Sequence, residues 1–591
     1  MRGLTLPGAL DAAAAAHPDA AVTFPSSAER VSLADLAAAT VDLARGLVAE
    51  GVVLGERVGV YSRNNADFLV AVIGATRAGA VACPMPLPTS AADLAGYASR
   101  LDALTSAASI RRVLVGAGVD GVARRLGPVL PDVDFLGVTG LTKTSGGFHP
   151  GLPTVSPSDV AIVQFTSGST AVPKGVVLTH RNVVYGTAAI VDGIELGRPG
   201  DHGATWLPLY HDMGLFGTLA AVLIGTPMTV WSPSTFIKDP AGWLREFAAM
   251  GCTVAPSPNF GYDALLAAVD GADLTTGRPE DLLDGLDLSR WRIAFNGAEP
   301  VNPATVARFA ERFGPAGFAP EAMFPVYGMA EATLAVTFPP LGRAPVTTWV
   351  DRERLARDAV AVPSDAGADG SRGLVGLGRP VPGMRLRIVD ELRRPLPDAT
   401  VGEIEIAGDA VTAGYLTAGA DPRPLVPAAT AAGLAPGLSP GPGLAPVPAS
   451  DLRGSEHAGW LATGDLGFVL GDELYISGRR KEMIIIRGVN YYPEDAESLV
   501  RDAPGIHRRR CVAVADTDDA GGEALTVLAE TTLEQPAERV RLATQLRTSI
   551  GAALGLAEVT VRLLAPDALP RTSSGKFRRG EARDLARTEP R

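Results

Sequence analysis

The chain of 591 residues contains few cysteines, and Cys83, Cys252 and Cys511 are the only ones. An odd number of widely separated cysteines does not form a disulfide framework. We therefore interpret all three as reduced residues that pack in the interior of a cytoplasmic protein.

Positive charge is also scarce, because 53 basic residues face 65 acidic ones and the formal net charge is −12. A polyanion would be repelled by such a protein, which argues against nucleic acid as its main partner. Basic residues do cluster at 501–510 and 576–583. These clusters, and Arg508–Arg510 in particular, suggest contact with a smaller acidic partner.

Long apolar runs are absent. The longest, at 215–231, is interrupted by Gly217, Gly225 and Pro227. It is shorter than a membrane span requires, so we interpret it as a buried core segment. Proline and charged residues likewise interrupt the amino-terminal segment, which excludes a signal peptide there. We expect no membrane span.

Helical and strand-like patterns alternate along the first part of the chain. Residues 33–51 and 65–80 have helical periodicity, while 57–62, 111–116 and 159–165 are short apolar strands. This alternation predicts an α/β fold with layered sheets and helices in a large, multi-subdomain amino-terminal domain.

The pattern restarts near Arg480 and predicts a small α+β domain in the last hundred or so residues. We assign residues 1–477 to the large domain and residues 483–591 to the small domain. The tract at 420–455 is rich in Pro, Gly and Ala, which predicts a surface loop. A cleft between two domains commonly holds a ligand.

The segment QFTSGSTAVPKGV at 164–176 follows a predicted strand and offers hydroxyl groups, backbone donors and the cation of Lys174. Such groups suit a polyphosphate. The segment differs from a P-loop, because Pro173 precedes Lys174 and Ala171 stands where a glycine is expected. A serine-rich hairpin is the alternative.

Five further segments accompany this loop in a fixed order. They are WLPLYHDMGLFG (206–217), FNGAEPV (295–301), VYGMAEATLAV (326–336), LATGDLGFV (461–469) and LPRTSSGKFRR (569–579). In order and spacing the set resembles the motifs of the adenylate-forming superfamily, which includes acyl-CoA synthetases, firefly luciferase and nonribosomal-peptide adenylation domains. The resemblance spans roughly residues 30 to 580.

Within that superfamily the chain is most similar to stand-alone fatty acyl-AMP ligases. SPNFGYD (257–263), KEMIIIRGVNYYPEDAE (481–497) and the long segment at 341–380 carry this likeness. In that branch an insertion of this kind in the large domain is thought to disfavour CoA-dependent chemistry. An ordinary surface excursion is the alternative interpretation of 341–380.

The resemblance implies attack of a carboxylate on the α-phosphorus of ATP with release of pyrophosphate. Both reactants are anions, so the site needs cations, a metal and oriented donors. Lys576 is the implied catalytic residue that bridges the carboxylate and the α-phosphate, and Lys174 and His211 are the other catalytic candidates. Glu331 and Thr170 are the implied Mg²⁺ ligands, since Mg²⁺ prefers hard oxygen ligands.

The same resemblance implies the residues that hold ATP. Asp465 would accept hydrogen bonds from the ribose, Tyr327 would stack on the adenine, and Arg479 would contact ribose or phosphates. The full implied ATP-binding set is Thr166, Ser167, Gly168, Ser169, Thr170, Lys174, Asn296, Gly297, Ala298, Glu299, Tyr327, Gly328, Met329, Asp465, Arg479 and Lys576. Lys481 lies within the implied hinge, 478–482, about which the small domain rotates.

The residues implied for the acyl substrate are His211, Asp212, Met213 and Phe216. His211 would line the channel where the carboxylate meets ATP. Met213 and Phe216 are apolar enough to face an acyl chain, and core packing is an equal alternative. For Asp212 we favour a structural role.

These features predict a ligase that makes an acyl-adenylate and transfers the acyl group to the phosphopantetheine of an acyl carrier protein supplied by another chain. An acyl- or aryl-CoA synthetase is the nearest alternative. Adenylation of an amino acid or another short polar acid is a further one. A non-catalytic acyl-nucleotide scaffold would require the loss of Lys174, Glu331, Asp465 or Lys576, and all four are present.

Overall fold

The computed structural model describes residues 1–88, 94–143, 151–166, 174–269, 283–412, 414–416, 459–486, 489–517, 523–556, 558–571 and 577–588. The α-helices of this part of the chain are α1 (Leu6–Ala16), α2 (Leu33–Ala49), α3 (Ala66–Arg77), α4 (Leu94–Ala108), α5 (Asp120–Leu126), α6 (Val138–Lys143), α7 (His180–Ile194), α8 (Asp212–Val222), α9 (Pro233–Lys238), α10 (Pro240–Ala249), α11 (Asn259–Val269), α12 (Pro303–Phe313), α13 (Arg352–Asp358), α14 (Pro493–Val500), α15 (Pro536–Leu554) and α16 (Arg579–Thr588).

The strands fall in seven sheets. They are β1 (Ala21–Phe24), β2 (Glu29–Ser32), β3 (Arg57–Tyr61), β4 (Val81–Pro84), β5 (Arg112–Val115), β6 (Asp134–Gly137), β7 (Val160–Thr166), β8 (Lys174–Thr179), β9 (Gly203–Thr205), β10 (Met228–Val230), β11 (Val254–Ser257), β12 (Ile293–Asn296), β13 (Met323–Pro325), β14 (Tyr327–Gly328), β15 (Ala335–Phe338), β16 (Thr347–Asp351), β17 (Ser371–Val375), β18 (Arg379–Pro380), β19 (Met384–Val389), β20 (Gly402–Gly408), β21 (Gly414–Leu416), β22 (Leu461–Leu470), β23 (Glu473–Arg479), β24 (Ile484–Ile486), β25 (Val489–Tyr491), β26 (Ile506–Thr517), β27 (Glu523–Thr531) and β28 (Val559–Leu564).

Two large, mostly parallel sheets form the body of the amino-terminal domain. One has the strand order β13-β12-β11-β9-β10-β1-β2, in which only β2 is antiparallel to its neighbour. The other has the order β21-β8-β7-β4-β3-β5-β6, in which β7 and β8 form an antiparallel hairpin at the edge that bears β21. Parallel sheets need helices on both faces. The predicted layered α/β fold is confirmed.

The apolar segment at 215–231 lies in the core between these layers. It forms most of α8 and the whole of β10, and Leu219 and Val230 are fully buried. No helix in the described ranges combines the length and apolar character that a bilayer crossing requires. The interpretation of 215–231 as a core segment is confirmed.

Two local signals position the elements that reach the site. Helix α7 begins with a capping box, in which Thr179 and Asn182 each bond the other's backbone N–H. This fixes the point where β8 ends and α7 begins. Helix α8 begins directly after His211, which is its N-cap residue.

The small domain contains the sheet β26-β27-β28 and the helices α14, α15 and α16. It also contains the two-stranded sheet β24-β25, and this mixture of small sheets and packed helices confirms the predicted α+β class. The chain enters it through residues 480–483, which connect β23 to β24. The predicted loop at 420–455 lies outside the described residues.

The three cysteine thiols are buried and form no disulfide. Burial raises the pKa of the Cys83 and Cys252 thiols to about 12. A thiol that stays protonated behaves as a small apolar group, which agrees with the packing role predicted for all three.

Candidate functional site

A cavity of about 2400 Å³ lies where the large and small domains meet. Lys174, Glu331 and Asp465 line it from the large domain, and Arg509 and Arg579 line it from the small domain. The cleft expected between the two domains is therefore present, and widely separated sequence motifs converge on it.

The candidate phosphate loop begins and ends at this cavity. Ser167, Gly168, Ser169, Thr170 and Ala171 lie outside the described residues. The residues on either side, Thr166 and Lys174, are paired across the β7–β8 hairpin, and the Thr166 hydroxyl donates to the Lys174 carbonyl over 3.5 Å.

The Lys174 ammonium lies over an aromatic ring. Its Nζ is 5.3 Å from the centroid of Tyr415, which a cation–π contact allows. The Tyr415 hydroxyl in turn donates to Glu331 Oε1 over 2.8 Å. Strand β21 pairs with β8 and so places Tyr415 beside Lys174. A predicted phosphate ligand and a predicted metal ligand are thus joined through a tyrosine that the sequence did not single out.

Glu331 lies on a 3₁₀ turn, Ala330–Ala332. Burial raises the pKa of its carboxyl above the ordinary value, and the negative charge of Asp212 raises it further. The described residues contain no cluster of three or more His, Cys, Asp or Glu side chains suited to a metal. A single carboxylate still suits Mg²⁺, which is commonly held by one or two carboxylates together with substrate phosphates.

The Asp465 carboxylate is held by two neighbours in the cavity. Its Oδ2 accepts from the Tyr327 hydroxyl over 2.7 Å, and its Oδ1 is 3.0 Å from Nε of Arg479. Strands β22 and β23 place Asp465 and Arg479 directly opposite each other. The Asp465 carboxylate raises the pKa of Arg479. Each carboxylate oxygen keeps a further lone pair for a hydroxyl donor.

The Tyr327 ring lines the cavity and is only 6% exposed. Burial, together with the Asp465 charge, raises the pKa of its hydroxyl well above the ordinary value, so it stays a donor. Gly328 follows on the same short strand, and a Cβ there would lie 2.2 Å from the Leu334 carbonyl oxygen. Only glycine fits at that position, beside Met329, which also lines the cavity.

The predicted adenine strip at 296–299 divides into two pairs. Ala298 and Glu299 line the cavity, and Ala298 has a left-handed φ of 66°. Asn296 is fully buried at the end of β12, and Gly297 has no room for a side chain because a Cβ would lie 2.8 Å from Val326 Cγ2. Asn296 and Gly297 are therefore behind the wall that Ala298 and Glu299 form.

The candidate acyl residues begin helix α8. His211, Asp212 and Met213 line the cavity. Phe216 is fully buried in the core and does not line it. The residue that lines the cavity one turn after Met213 is Gly217, and the burial of Phe216 agrees with the core-packing alternative. A helix returns to the same face after four residues more closely than after three.

Lys576 lies outside the described residues, but the chain on both sides of it is fixed. Arg571 and Phe577 form an isolated β-bridge, and the Arg571 guanidinium lies 5.0 Å from the Phe577 ring centroid. The Arg578 N–H donates to the Pro570 carbonyl over 2.9 Å. Residues 571 and 577 are therefore held close together.

Arg579, the first residue of α16, pairs with the residue next to Lys481 and with two carboxylates of α14. Its Nε is 2.9 Å from Glu482, its Nη2 is 3.2 Å from Glu494, and Nη1 pairs with Glu497. Burial raises the pKa of the Glu494 carboxyl to about 7. Lys481, next to Glu482, is exposed and lines the cavity.

The predicted insertion at 341–380 contains β16, α13 and β17, and it packs against the small domain. Val350 and Leu355 share an apolar cluster with Tyr492 of the small domain. Arg372 lies 2.8 Å from Asp495 and 4.9 Å above the Tyr492 ring, and both charged side chains are less than 10% exposed. No sequence pattern indicated this contact.

The basic cluster Arg508–Arg510 does not form the free surface that the sequence suggested. Arg509 Nη1 lies 2.7 Å from Asp263 Oδ1 of the large domain. Arg510 pairs with Glu530 over 3.1 Å and also with Asp567. Two of the three charges are already neutralised within the protein, and the interpretation of this cluster as a docking surface is wrong to that extent.

Comparison with known proteins gives consistent matches over nearly the whole chain. The family described as AMP-binding enzyme matches residues 10–416. Long-chain-fatty-acid–AMP ligase FadD32 of Mycolicibacterium smegmatis is 32% identical over 90% of this chain and 84% of its own length. A Caulobacter vibrioides protein described provisionally as an acyl-CoA synthetase is 32% identical over 94% of this chain and 90% of its own length.

A solved structure agrees with the same assignment. It comes from work on fatty acyl-adenylate ligases of E. coli and L. pneumophila, and it is 29% identical to this chain with a TM-score of 0.85. The match covers 98% of this chain and 97% of the solved one, so it includes both the large and the small domain.

Proposed function

Because the chain belongs to the AMP-binding enzyme family, we propose that it is a fatty acyl-AMP ligase. It activates a carboxylic acid with ATP to an acyl-adenylate and pyrophosphate, then transfers the acyl group to the phosphopantetheine thiol of a separate carrier protein. The predicted membership of the adenylate-forming superfamily is confirmed by these matches. The observation that carries the proposal is the convergence of Lys174, Glu331 and Asp465 on one cavity.

The first half-reaction forms a bond between a carboxylate oxygen and the α-phosphorus of ATP. The bond from that phosphorus to the pyrophosphate oxygen breaks, and pyrophosphate leaves with the electron pair. In this proposal Lys174 and the hydroxyls of 166–170 hold the β- and γ-phosphates. Asp465 accepts from the ribose hydroxyls, and the Tyr327–Asp465–Arg479 contacts support this because they hold the carboxylate in one orientation.

The chemistry of the donors supports a magnesium site at Glu331. Its Oε1 accepts from Tyr415, and its other oxygen, Oε2, would hold the cation together with the Thr170 hydroxyl that the resemblance implies. Bound Mg²⁺ would neutralise phosphate charge as pyrophosphate leaves. Tyr415 and Asp212 then act on Glu331 itself, the first by orienting its carboxylate and the second by adding negative charge nearby.

We assign the catalytic contact with the reacting carboxylate to Lys576 and assign His211 to the entrance of the acyl channel. Residues 478–482, including Lys481, form the hinge between the half-reactions. Their place at the end of β23 and just before β24 supports this assignment, because a few residues at the end of an element commonly absorb such a rotation. A carboxylate positioned between two cations and the α-phosphate needs no strong base.

Transfer to a carrier protein is favoured over transfer to CoA by the insertion. Its apolar contact with Tyr492 and the Arg372–Asp495 pair tie the small domain to the large one. We infer that this contact limits the rotation that a free CoA thiol would need. We also place the enzyme in the cytoplasm, where free thiols such as Cys83 and Cys252 remain reduced.

A second candidate, an acyl-CoA synthetase, is favoured by the description of the Caulobacter relative. The two are separated by supplying the purified enzyme with ATP, Mg²⁺ and one fatty acid, and then either CoA or a phosphopantetheinylated carrier protein. We expect acyl-carrier to form much faster than acyl-CoA. Equal rates would assign the enzyme to the CoA-dependent class.

A further inference from the structure

Helix α8 forms one wall of the cavity, and at Gly217 this wall has empty space where a side chain would fit. Met213, Gly217 and Ala221 are spaced four residues apart, and all three line the cavity. Met213 and Ala221 are buried among other apolar side chains, with 7% and 1% of their surfaces exposed. A Cβ added at Gly217 would meet nothing within 4 Å.

Gly214 on the same helix provides the contrast. A Cβ there would lie 2.3 Å from the Pro208 carbonyl oxygen, so close packing requires glycine. No such contact requires it at Gly217, and the backbone there is ordinary α-helix. A helix with glycine at an interior position is less stable than one with alanine there. Gly217 therefore lowers the stability of α8 while it leaves space in the cavity.

One turn beyond Gly217 the cavity is lined by Ala221, Gly203 and Met228. A Cβ added at Gly203 would lie 2.7 Å from Met228 Sδ and 3.5 Å from Ala221 Cβ, so these three residues are in contact. From Met213 to Ala221 the wall is about 12 Å long, at 1.5 Å per helical residue. Ile190 and Ile194 of α7 also line the cavity and are buried, so this end is apolar.

The opposite end of this wall is polar. His211 and Asp212 begin the helix, and the positive end of the helix dipole lies here, which favours an anionic group. A molecule with a carboxylate at one end and an alkyl chain at the other therefore matches the wall in both chemistry and direction.

We propose that Gly217 determines the length of acyl chain that the enzyme accepts, an inference that rests on the proposed function. Gly217 is about 9 Å from His211 along the helix axis, at 1.5 Å per residue. An extended chain reaches it with roughly seven carbons, at about 1.3 Å per carbon from C–C bonds of about 1.5 Å. Medium- and long-chain acids need the space at Gly217, and shorter acids do not.

The test measures kcat/KM for adenylate formation with straight-chain acids from butanoic to hexadecanoic, in wild type, Gly217→Ala, Gly217→Leu and Gly217→Phe. We expect the ratio of long-chain to short-chain activity to fall progressively, by at least about tenfold in Gly217→Phe, as a few methylenes of lost space imply. Activity with butanoic acid and the KM for ATP should stay within about twofold of wild type.

Gly121→Leu is the matched control, because Gly121 is also a helical glycine with nothing within 4 Å and does not line the cavity. It should leave the chain-length profile unchanged. Gly217→Ala is expected to fold at least as well as wild type, since alanine favours helix. It therefore decides the question if the larger variants fail to fold.

An unchanged chain-length profile in every folded Gly217 variant would overturn the inference and leave the proposed function intact. Failure of wild type to form an adenylate with any acid would overturn the proposed function itself. A uniform loss of activity over all chain lengths would show that Gly217 acts on the reaction and not on the chain, which also contradicts the inference.

Discussion

The interior of the large domain and its contact with the small domain bury polar side chains in different ways. His180, 1% exposed in the interior, accepts the Leu6 N–H at Nδ1 over 3.1 Å, and burial lowers its pKa to about 4, so it is neutral. Where the domains meet, Arg372 and Asp495 are also buried, but they form an ion pair between the two domains.

The buried neutral histidine and the buried ion pair differ in which partners they need to stay stable. A neutral side chain needs one hydrogen-bond partner from a neighbouring helix, and it stays satisfied as long as the domain is folded. A buried charge needs its counter-charge, and loss of that partner is costly. The interdomain contact therefore stabilises one arrangement of the two domains, and the large domain does not depend on it.

The largest expected effect is on the rate of adenylate formation, after substitution of Lys576 in the small domain. Lys576→Ala should lower adenylate formation by at least about 100-fold, because it removes a charge aimed at the transition state. ATP binding should be nearly unchanged, since the large domain holds the nucleotide. Single-turnover adenylate formation and ATP titration measure the two separately.

Arg578→Ala is the control for Lys576→Ala, because it removes a positive charge two residues away that is paired with Glu581. It should keep most of the activity. If Lys576→Ala kept wild-type turnover, the small domain would contribute no reacting group, and the assigned site would be wrong.

The next effect concerns the ion pair between the domains. Arg372→Met leaves Asp495 buried without its partner and should lower the free energy of unfolding by about 3–5 kcal/mol. Arg379→Met removes half of the Arg379–Asp472 pair, in which the side chains are 59% and 77% exposed. That control should lower the free energy of unfolding by less than about 1 kcal/mol. Urea titration of both variants measures the two losses.

Partial recovery of stability in Arg372→Met with Asp495→Leu would assign the loss to the unpaired carboxylate. Equal destabilisation by Arg372→Met and Arg379→Met would remove the contrast between buried and exposed pairs.

The neutral histidine gives a pH dependence. The pKa of His180 is about 4 in the folded protein and 6.5 for the unperturbed group, so the unfolded state binds more protons between these values. Stability therefore falls as pH drops from 6.5 to 4, by about 3 kcal/mol from this group. His180→Asn keeps an acceptor and lacks this titration. The difference between the two unfolding curves should be confined to that pH range, and parallel curves would show that His180 is not buried as a neutral group.

The smallest effect concerns the phosphate loop. Ala171→Gly should change the apparent affinity for ATP only a few-fold, because even if this position required a left-handed backbone, alanine there would cost only on the order of 1 kcal/mol. Selectivity among acids should not change, since Ala171 belongs to the loop assigned to the phosphates. Collapse of activity in this variant would show that the alanine itself is required.

The polar residues of the site could be predicted from the sequence, and its shape could not. Lys174, Glu331 and Asp465 were found because their motifs resemble those of the adenylate-forming superfamily, and all three line the cavity. Met213 and Phe216 were predicted to face an acyl chain or pack in the core because both are apolar. A cavity-lining glycine such as Gly217 has no such sequence signal.

Contacts between distant segments were missed for a different reason. Tyr415 lies on a strand that pairs with β8, and its bond to Glu331 follows from that pairing alone. The Arg372–Asp495 pair similarly depends on how the insertion meets the small domain. Neither pair has a local pattern, because ion pairs and hydrogen bonds between distant segments form only once the fold brings them together.

The most direct test is mass spectrometry of the adenylates formed from one equimolar pool of straight-chain acids, butanoic to hexadecanoic, by wild type, Lys576→Ala and Gly217→Phe. Wild type should yield fatty acyl-adenylates, Lys576→Ala should lower all of them by a similar factor, and Gly217→Phe should remove the long-chain products while keeping the short ones. Absence of any fatty acyl-adenylate with wild type would contradict the proposal that this enzyme activates fatty acids.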